Sequence, residues 1–159
     1  MILHRIGGNR HINDLSGEGA SLNGGRWNRV GVPVLYTSLS VALSAWEYFV
    51  HLESDIKIAD NAFSQVTIEV PDGSVLELSE RTLSFSFLQL NEGEGLWTIT
   101  DKWIREGRYL CMKVPSVVVL GEFNYLVNPK HPLAVPDSCR IVEVVPFSFD
   151  DRAFNRTLK

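Results

Sequence analysis

A chain of 159 residues, 45% hydrophobic and 21% charged, is long enough to bury a core of its own. Its composition excludes a disordered or collagenous class, and no apolar run approaches the length of a membrane span. A net charge of −4 and a pI near 5.5 argue against sequence-independent nucleic-acid binding, so no direct DNA contact is expected.

Cys111 and Cys139 stand in apolar, strand-like runs, with no CxxC and no zinc-type spacing. They are expected to be two small buried residues. Met1–Ile6 runs straight into the polar stretch Gly7–Arg10, unlike a signal peptide. The expectation is a cytoplasmic protein forming one domain over residues 1–159, with neither a linker nor an internal repeat.

In chain order, Met1–Ile6 reads as a strand. A glycine-rich polar loop follows from Gly7 to Asn28, and loops that long inside compact domains usually serve function. Val32–Thr37 is a strand, and Ser38 or Ser40 then caps a helix running to about Leu52. That helix is apolar nearly all round and is expected to be largely buried. Phe63–Val70 alternates as a strand does and turns at Pro71–Asp72–Gly73 into a short strand, Val75–Leu78. Leu83–Leu90 is ambiguous. Ile99–Glu106 is a short helix ended by Gly107. Leu110–Val114, Val117–Leu120 and Tyr125–Val127 read as strands, and Arg140–Phe149 as a long strand interrupted by Pro146. Two helices, many strands and no regular βαβ alternation give an α+β class.

Four places invite chemistry. Gly24–Gly25–Arg26–Trp27–Asn28 puts a planar cationic fork after a glycine turn, suited to phosphate or carboxylate; a plain turn with a surface arginine is the alternative. Glu47 sits mid-helix among apolar residues, where a carboxylate needs a partner, a raised pKa or a role. It reads equally as part of a narrow solvent stripe with Ser40, Ser44 and His51. Tyr36 ends the strand that leads into this helix. Arg5 shares a strand face with Met1 and Leu3, where it needs an anionic partner, either a ligand or a salt bridge. Ser116, beside Pro115, has no nucleophile-elbow context and reads as a turn residue. His4, His11, His51 and His131 form no metal motif.

Taken in order, these pieces resemble the RES family, whose name records an arginine, a glutamate and a serine. The matching run is His4–Arg5–Ile6, Gly24–Asn28, Val34–Ser38 and Ala45–Trp46–Glu47, then Val114–Pro115–Ser116, Asn124–Pro132 and Phe147–Arg152. The stretch Asp72–Thr98 contributes nothing. The resemblance implies a fold like that of ADP-ribosyltransferase toxins, a split, bent β-sheet core with surrounding helices. It implies an enzyme that breaks the nicotinamide–ribose bond of NAD, degrading it or passing ADP-ribose to a protein target, with NAD as substrate and no metal. Glu47, Arg26, Tyr36 and Ser116 would be catalytic, and Arg5, Arg26, Tyr36, Ser116 and Asn128 would bind NAD. A further implication is a cognate antitoxin with a helix-turn-helix, Xre-like, DNA-binding domain. Two other classes remain open on the residues alone. One is a hydrolase of another glycosidic or phosphate substrate, needing a second carboxylate such as Glu69, Asp101 or Glu122. The other is a non-catalytic module that binds a nucleotide or a protein.

Overall fold

Alternating apolar residues along the strands are realised as one hydrogen-bonded sheet. The structure, a computed structural model, describes residues 1–52, 62–78 and 93–153. Among these, seven strands run in the order β4-β5-β6-β2-β1-β3-β7. They are β1 (Ile2–Gly8), β2 (Leu35–Ser38), β3 (Phe63–Glu69), β4 (Val75–Glu77), β5 (Cys111–Pro115), β6 (Phe123–Val127) and β7 (Arg140–Phe147). Every neighbouring pair is antiparallel except β4–β5. Three helices accompany them: α1 (Glu18–Asn23), α2 (Val41–Phe49) and α3 (Glu94–Glu106). The α+β class expected from the sequence is the one observed. No helix among the described residues is long and apolar enough to cross a membrane.

The sheet has two halves, β4-β5-β6-β2 and β1-β3-β7, joined through the single pair His4↔Ser38. That narrow junction is the split expected of the sheet, and α2 packs over it against β1 and β2. Both sheet faces are apolar, as the strand period of two requires of a sheet covered on both sides. Leu3, Leu35, Val66, Ile68, Cys111, Tyr125 and Val127 fill one core, closed by Ile12 from the loop after β1. Met112, Val114 and Leu126 point the other way and pack with Trp27, Val34, Leu96 and Trp103. Cys111 and Cys139 are both buried, as expected.

Several boundaries differ from the sequence reading. The loop Gly7–Asn28 contains α1, which buries no residue and so carries no apolar period to read. Helix α3 begins five residues before Ile99, because fully buried Leu96 outweighs the low helix propensity of Gly95. Val117–Leu120 is a turn, not a strand. Its amides turn inward, with Val118 N–H and Val119 N–H donating to Ser116 Oγ. Helix α2 is less buried than its composition implies: Leu43 and Ser44 are covered, while Trp46 is 55% and Val50 50% exposed. Pro146 stays within β7, paired with Ser64 on a strand with one neighbour, where its missing N–H costs no ladder bond. Leu83–Leu90 lies outside the described residues.

Candidate active site

The loop between α1 and β2 is fastened from below by a buried asparagine. Asn28 Nδ2 donates to Ala20 O at 2.8 Å and to Val32 O at 2.9 Å, and its Oδ1 accepts from Tyr36 Oη at 2.7 Å. Tyr36 Oη in turn accepts from Trp27 N at 3.2 Å. Burial pushes the Tyr36 phenol up to about 12, so it stays a neutral hydrogen-bonding group. From above, α3 holds the same loop. Trp97 Nε1 donates to Gly25 O at 3.0 Å, and Arg29 pairs with Asp101. Gly25 has no room for a side chain: a Cβ there would lie 2.7 Å from Tyr36 Oη and 2.9 Å from Asn28 Oδ1. Arg26, half-buried, therefore projects from a rigid frame. Its charge and that of Glu47 act on the Tyr36 phenol in opposite senses, so each lies within electrostatic reach of that phenol.

Glu47 reaches this region from the other side. Ser40 caps α2, its Oγ accepting from Leu43 N at 3.1 Å. Ser44 ties the helix to β1 by donating to His4 O at 2.9 Å. Glu47, three residues on, shares that sheet-facing side. Its Oε1 accepts from Ser116 Oγ at 2.7 Å and from Asn124 Nδ2 at 2.5 Å. Ser116 Oγ accepts from Val118 N at 3.1 Å and Val119 N at 2.9 Å, and Ser38 Oγ donates to Asn124 Oδ1 at 2.6 Å. Glu47 Oε2 takes no hydrogen bond among the described residues. Glu47 thus belongs to the sheet-facing side of α2, with buried Ser44 and away from exposed His51.

Of the residues singled out in the sequence, Glu47 and Ser116 are in direct contact, and the charges of Glu47 and Arg26 both reach the Tyr36 phenol. The two others hydrogen-bond with other parts of the chain. Arg5 shares the Leu3 face of β1, whereas its neighbour His4 pairs with Ser38 on the Glu47 side. Its Nη1 donates to Asp14 O at 2.9 Å and His11 O at 3.4 Å, so Arg5 braces the loop after β1. Burial lowers its pKa, and the Asp14 carboxylate opposes that shift. Asn128 follows β6, at the end away from Asn124. Its Oδ1 accepts from Lys130 N at 3.0 Å, and its own N–H donates to Leu110 O at 2.9 Å. Those bonds make it a turn residue at the end of β6, and no bond among the described residues ties it to Glu47. Asn124, Ser38 and Asn28 were missed as site residues. The available signal was an asparagine inside the apolar strand Phe123–Val127, a type that strands disfavour. Two of the carboxylates a two-acid hydrolase would draw on are engaged elsewhere, Glu69 with Arg140 and Asp101 with Arg29.

A partly fixed carboxylate, a nearby guanidinium and an aromatic ring suit a reaction that builds positive charge on a phosphate-bearing substrate. The RES domain family model matches residues 2–150. A Sphingobium protein named "Prs ADP-ribosylating toxin" is 38% identical over 122 residues, spanning 75% of this chain and 74% of its own length. A Pseudomonas putida protein named "Toxin Res" is 34% identical, over 97% of this chain and all of that one. The toxin–antitoxin complex MbcT–MbcA of M. tuberculosis contains a chain of similar fold, with a TM-score of 0.70 at 21% identity, covering 92% of this chain and 84% of that one. With a family model matched over almost its whole length and relatives this similar, the chain belongs to the RES domain family.

Proposed function

We propose that this chain is the toxin of a bacterial toxin–antitoxin pair and that it cleaves the nicotinamide–ribose bond of NAD. The observation that carries this reading is Glu47, with Oε1 held by Ser116 and Asn124 and Oε2 taking no hydrogen bond among the described residues, while its charge and that of Arg26 both reach Tyr36. The names of the relatives, toxins and an ADP-ribosylating toxin, support it.

In the reaction the C1′–N bond breaks and its electron pair leaves with nicotinamide, which neutralises the pyridinium. Positive charge is left on the ribose. Glu47 Oε2 accepts a hydrogen bond from a ribose hydroxyl and stabilises that charge, most strongly once water is excluded. Arg26 grips the pyrophosphate through its planar fork. The Tyr36 hydroxyl is occupied by Asn28 and Trp27, so its ring is what it offers to the nicotinamide. Ser116 acts by holding Glu47. An acceptor, whether water, phosphate or a protein side chain, adds at C1′ and gives up a proton.

The reading places the protein in the cytoplasm with a cognate antitoxin that carries a helix-turn-helix DNA-binding domain and covers the Glu47 site. Its test is incubation of the purified chain with NAD and chromatographic measurement of free nicotinamide. Stoichiometric or catalytic release is expected, as is growth arrest with NAD loss when the chain is expressed alone in bacteria. Folded protein that releases no nicotinamide, and that accumulates without affecting growth, overturns the reading.

A further inference from the structure

A glutamate side chain does not fix its own carboxylate plane, because the last torsion is broad and roughly two-fold. Here the plane is set from outside, by donors that arrive on two different elements. Ser116, in the turn after β5, and Asn124, on β6, both donate to the same oxygen, Oε1. Ser116 has spent its whole capacity: one hydrogen given to Glu47 and two amide hydrogens received, from Val118 and Val119. It has nothing left for a substrate. Asn124 is fixed differently. An ionised carboxylate only accepts, so the Asn124 atom facing Oε1 has to be Nδ2. The amide oxygen then faces Ser38, whose hydroxyl is obliged to donate to it. The cross-strand pair Ser38↔Asn124 delivers this arrangement. Every hydrogen along the line Ser38, Asn124, Glu47 therefore points toward Glu47.

We propose that Asn124 is a positioning residue for Glu47, oriented by Ser38, and that together they turn the carboxylate so that Oε2 alone meets the substrate. This rests on the reading of the site as one that cleaves NAD. The strand pairing itself does not depend on these side chains, since three further backbone register pairs join β2 to β6. Its polarity serves the carboxylate.

The test is steady-state nicotinamide release from NAD by wild type, Glu47→Gln, Asn124→Ala, Asn124→Asp and Ser38→Ala, each checked for folding by circular dichroism. Loss of a hydrogen bond to a charged group corresponds to a fall of about 10- to 100-fold. Asn124→Ala should lose that much in kcat with KM changed by less than about 3-fold, because the missing bond acts on Glu47 and not on bound NAD. Asn124→Asp keeps the shape and puts an anionic oxygen where the donor was. It should fall at least as far as Asn124→Ala, whereas a role in packing alone would spare it. Ser38→Ala should lose roughly 3- to 10-fold in kcat, as loss of a neutral hydrogen bond one step removed. If either Asn124 variant fails to fold, Ser38→Ala decides, and an unchanged kcat there overturns the proposal. So does Asn124→Ala with wild-type kcat, Asn124→Asp more active than Asn124→Ala, or a rise confined to KM. A wild type that releases no nicotinamide overturns the NAD reading itself; an active wild type indifferent to Asn124 and Ser38 overturns this proposal alone.

Discussion

Replacing Gly25 with alanine probes how tightly the loop carrying Arg26 is built. The new Cβ would lie 2.7 Å from Tyr36 Oη, 2.9 Å from Asn28 Oδ1 and 3.3 Å from Tyr36 Cζ. None of these is the loose end of a flexible chain, because Asn28 is buried and the phenol is bonded on both sides. Overpacking of this kind costs about 1–3 kcal/mol, and displacing the phenol breaks one or two neutral hydrogen bonds at about 0.5–1.5 kcal/mol each. The expected total is about 1.5–6 kcal/mol, or roughly 3–24 °C in melting temperature for a protein of this size. Thermal unfolding followed by circular dichroism measures it. Gly8→Ala, where a Cβ would meet nothing within 4 Å, is the control and should melt near wild type. Nicotinamide release should fall with Gly25→Ala even at temperatures where the protein is folded, because Arg26 is the next residue. A Gly25→Ala protein that melts within about 1 °C of the control would refute the reasoning.

Arg26→Ala should lose most turnover, and Arg26→Lys should not restore it, because lysine supplies charge without the planar fork; full activity of the lysine variant in NAD kinetics would count against a bidentate grip. Stability should also decline at alkaline pH. Burial, with Cys139 adding in the same direction, raises the Cys111 thiol from 9.0 to about 12, so above pH 9 the unfolded chain releases a proton that the folded one keeps. The folded state then loses its advantage progressively between pH 9 and 12, and Tyr36, raised from 10.0 to about 12, adds to the slope. Melting temperatures across that range should fall less steeply in Cys111→Ala, and an identical slope would remove the thiol from the explanation.

How much the sequence disclosed depends on what each residue answers to. Helix α2 was legible because Ser40 and the run after it are local signals, and Phe63–Glu69 because its alternation is unbroken. Helix α1 left no trace because what holds it is remote in kind: Asn28 reaching Ala20 O, and Gly31 N–H reaching Ser21 O. Val117–Leu120 misled because three valines favour a strand, while one serine oxygen collecting two amides makes a turn. Glu47 was visible as a carboxylate in an apolar helix. Its partners were not, since Ser116 and Asn124 lie 69 and 77 residues away and meet it only through the order of the strands. Arg5 shows the converse: an arginine in an apolar strand signals an acceptor, but carbonyls satisfy it as well as an anionic ligand does.

The central claim is that the Glu47 carboxylate stabilises positive charge as nicotinamide leaves. Glu47→Gln tests it most directly, since the amide keeps the shape and loses the charge. The measurement is single-turnover nicotinamide release beside wild type, with NAD affinity determined by calorimetry on the same preparations. The account predicts a folded protein that binds NAD with affinity within a few-fold of wild type and turns it over about 10²–10³ times more slowly. Turnover near the wild-type rate in folded Glu47→Gln would contradict it.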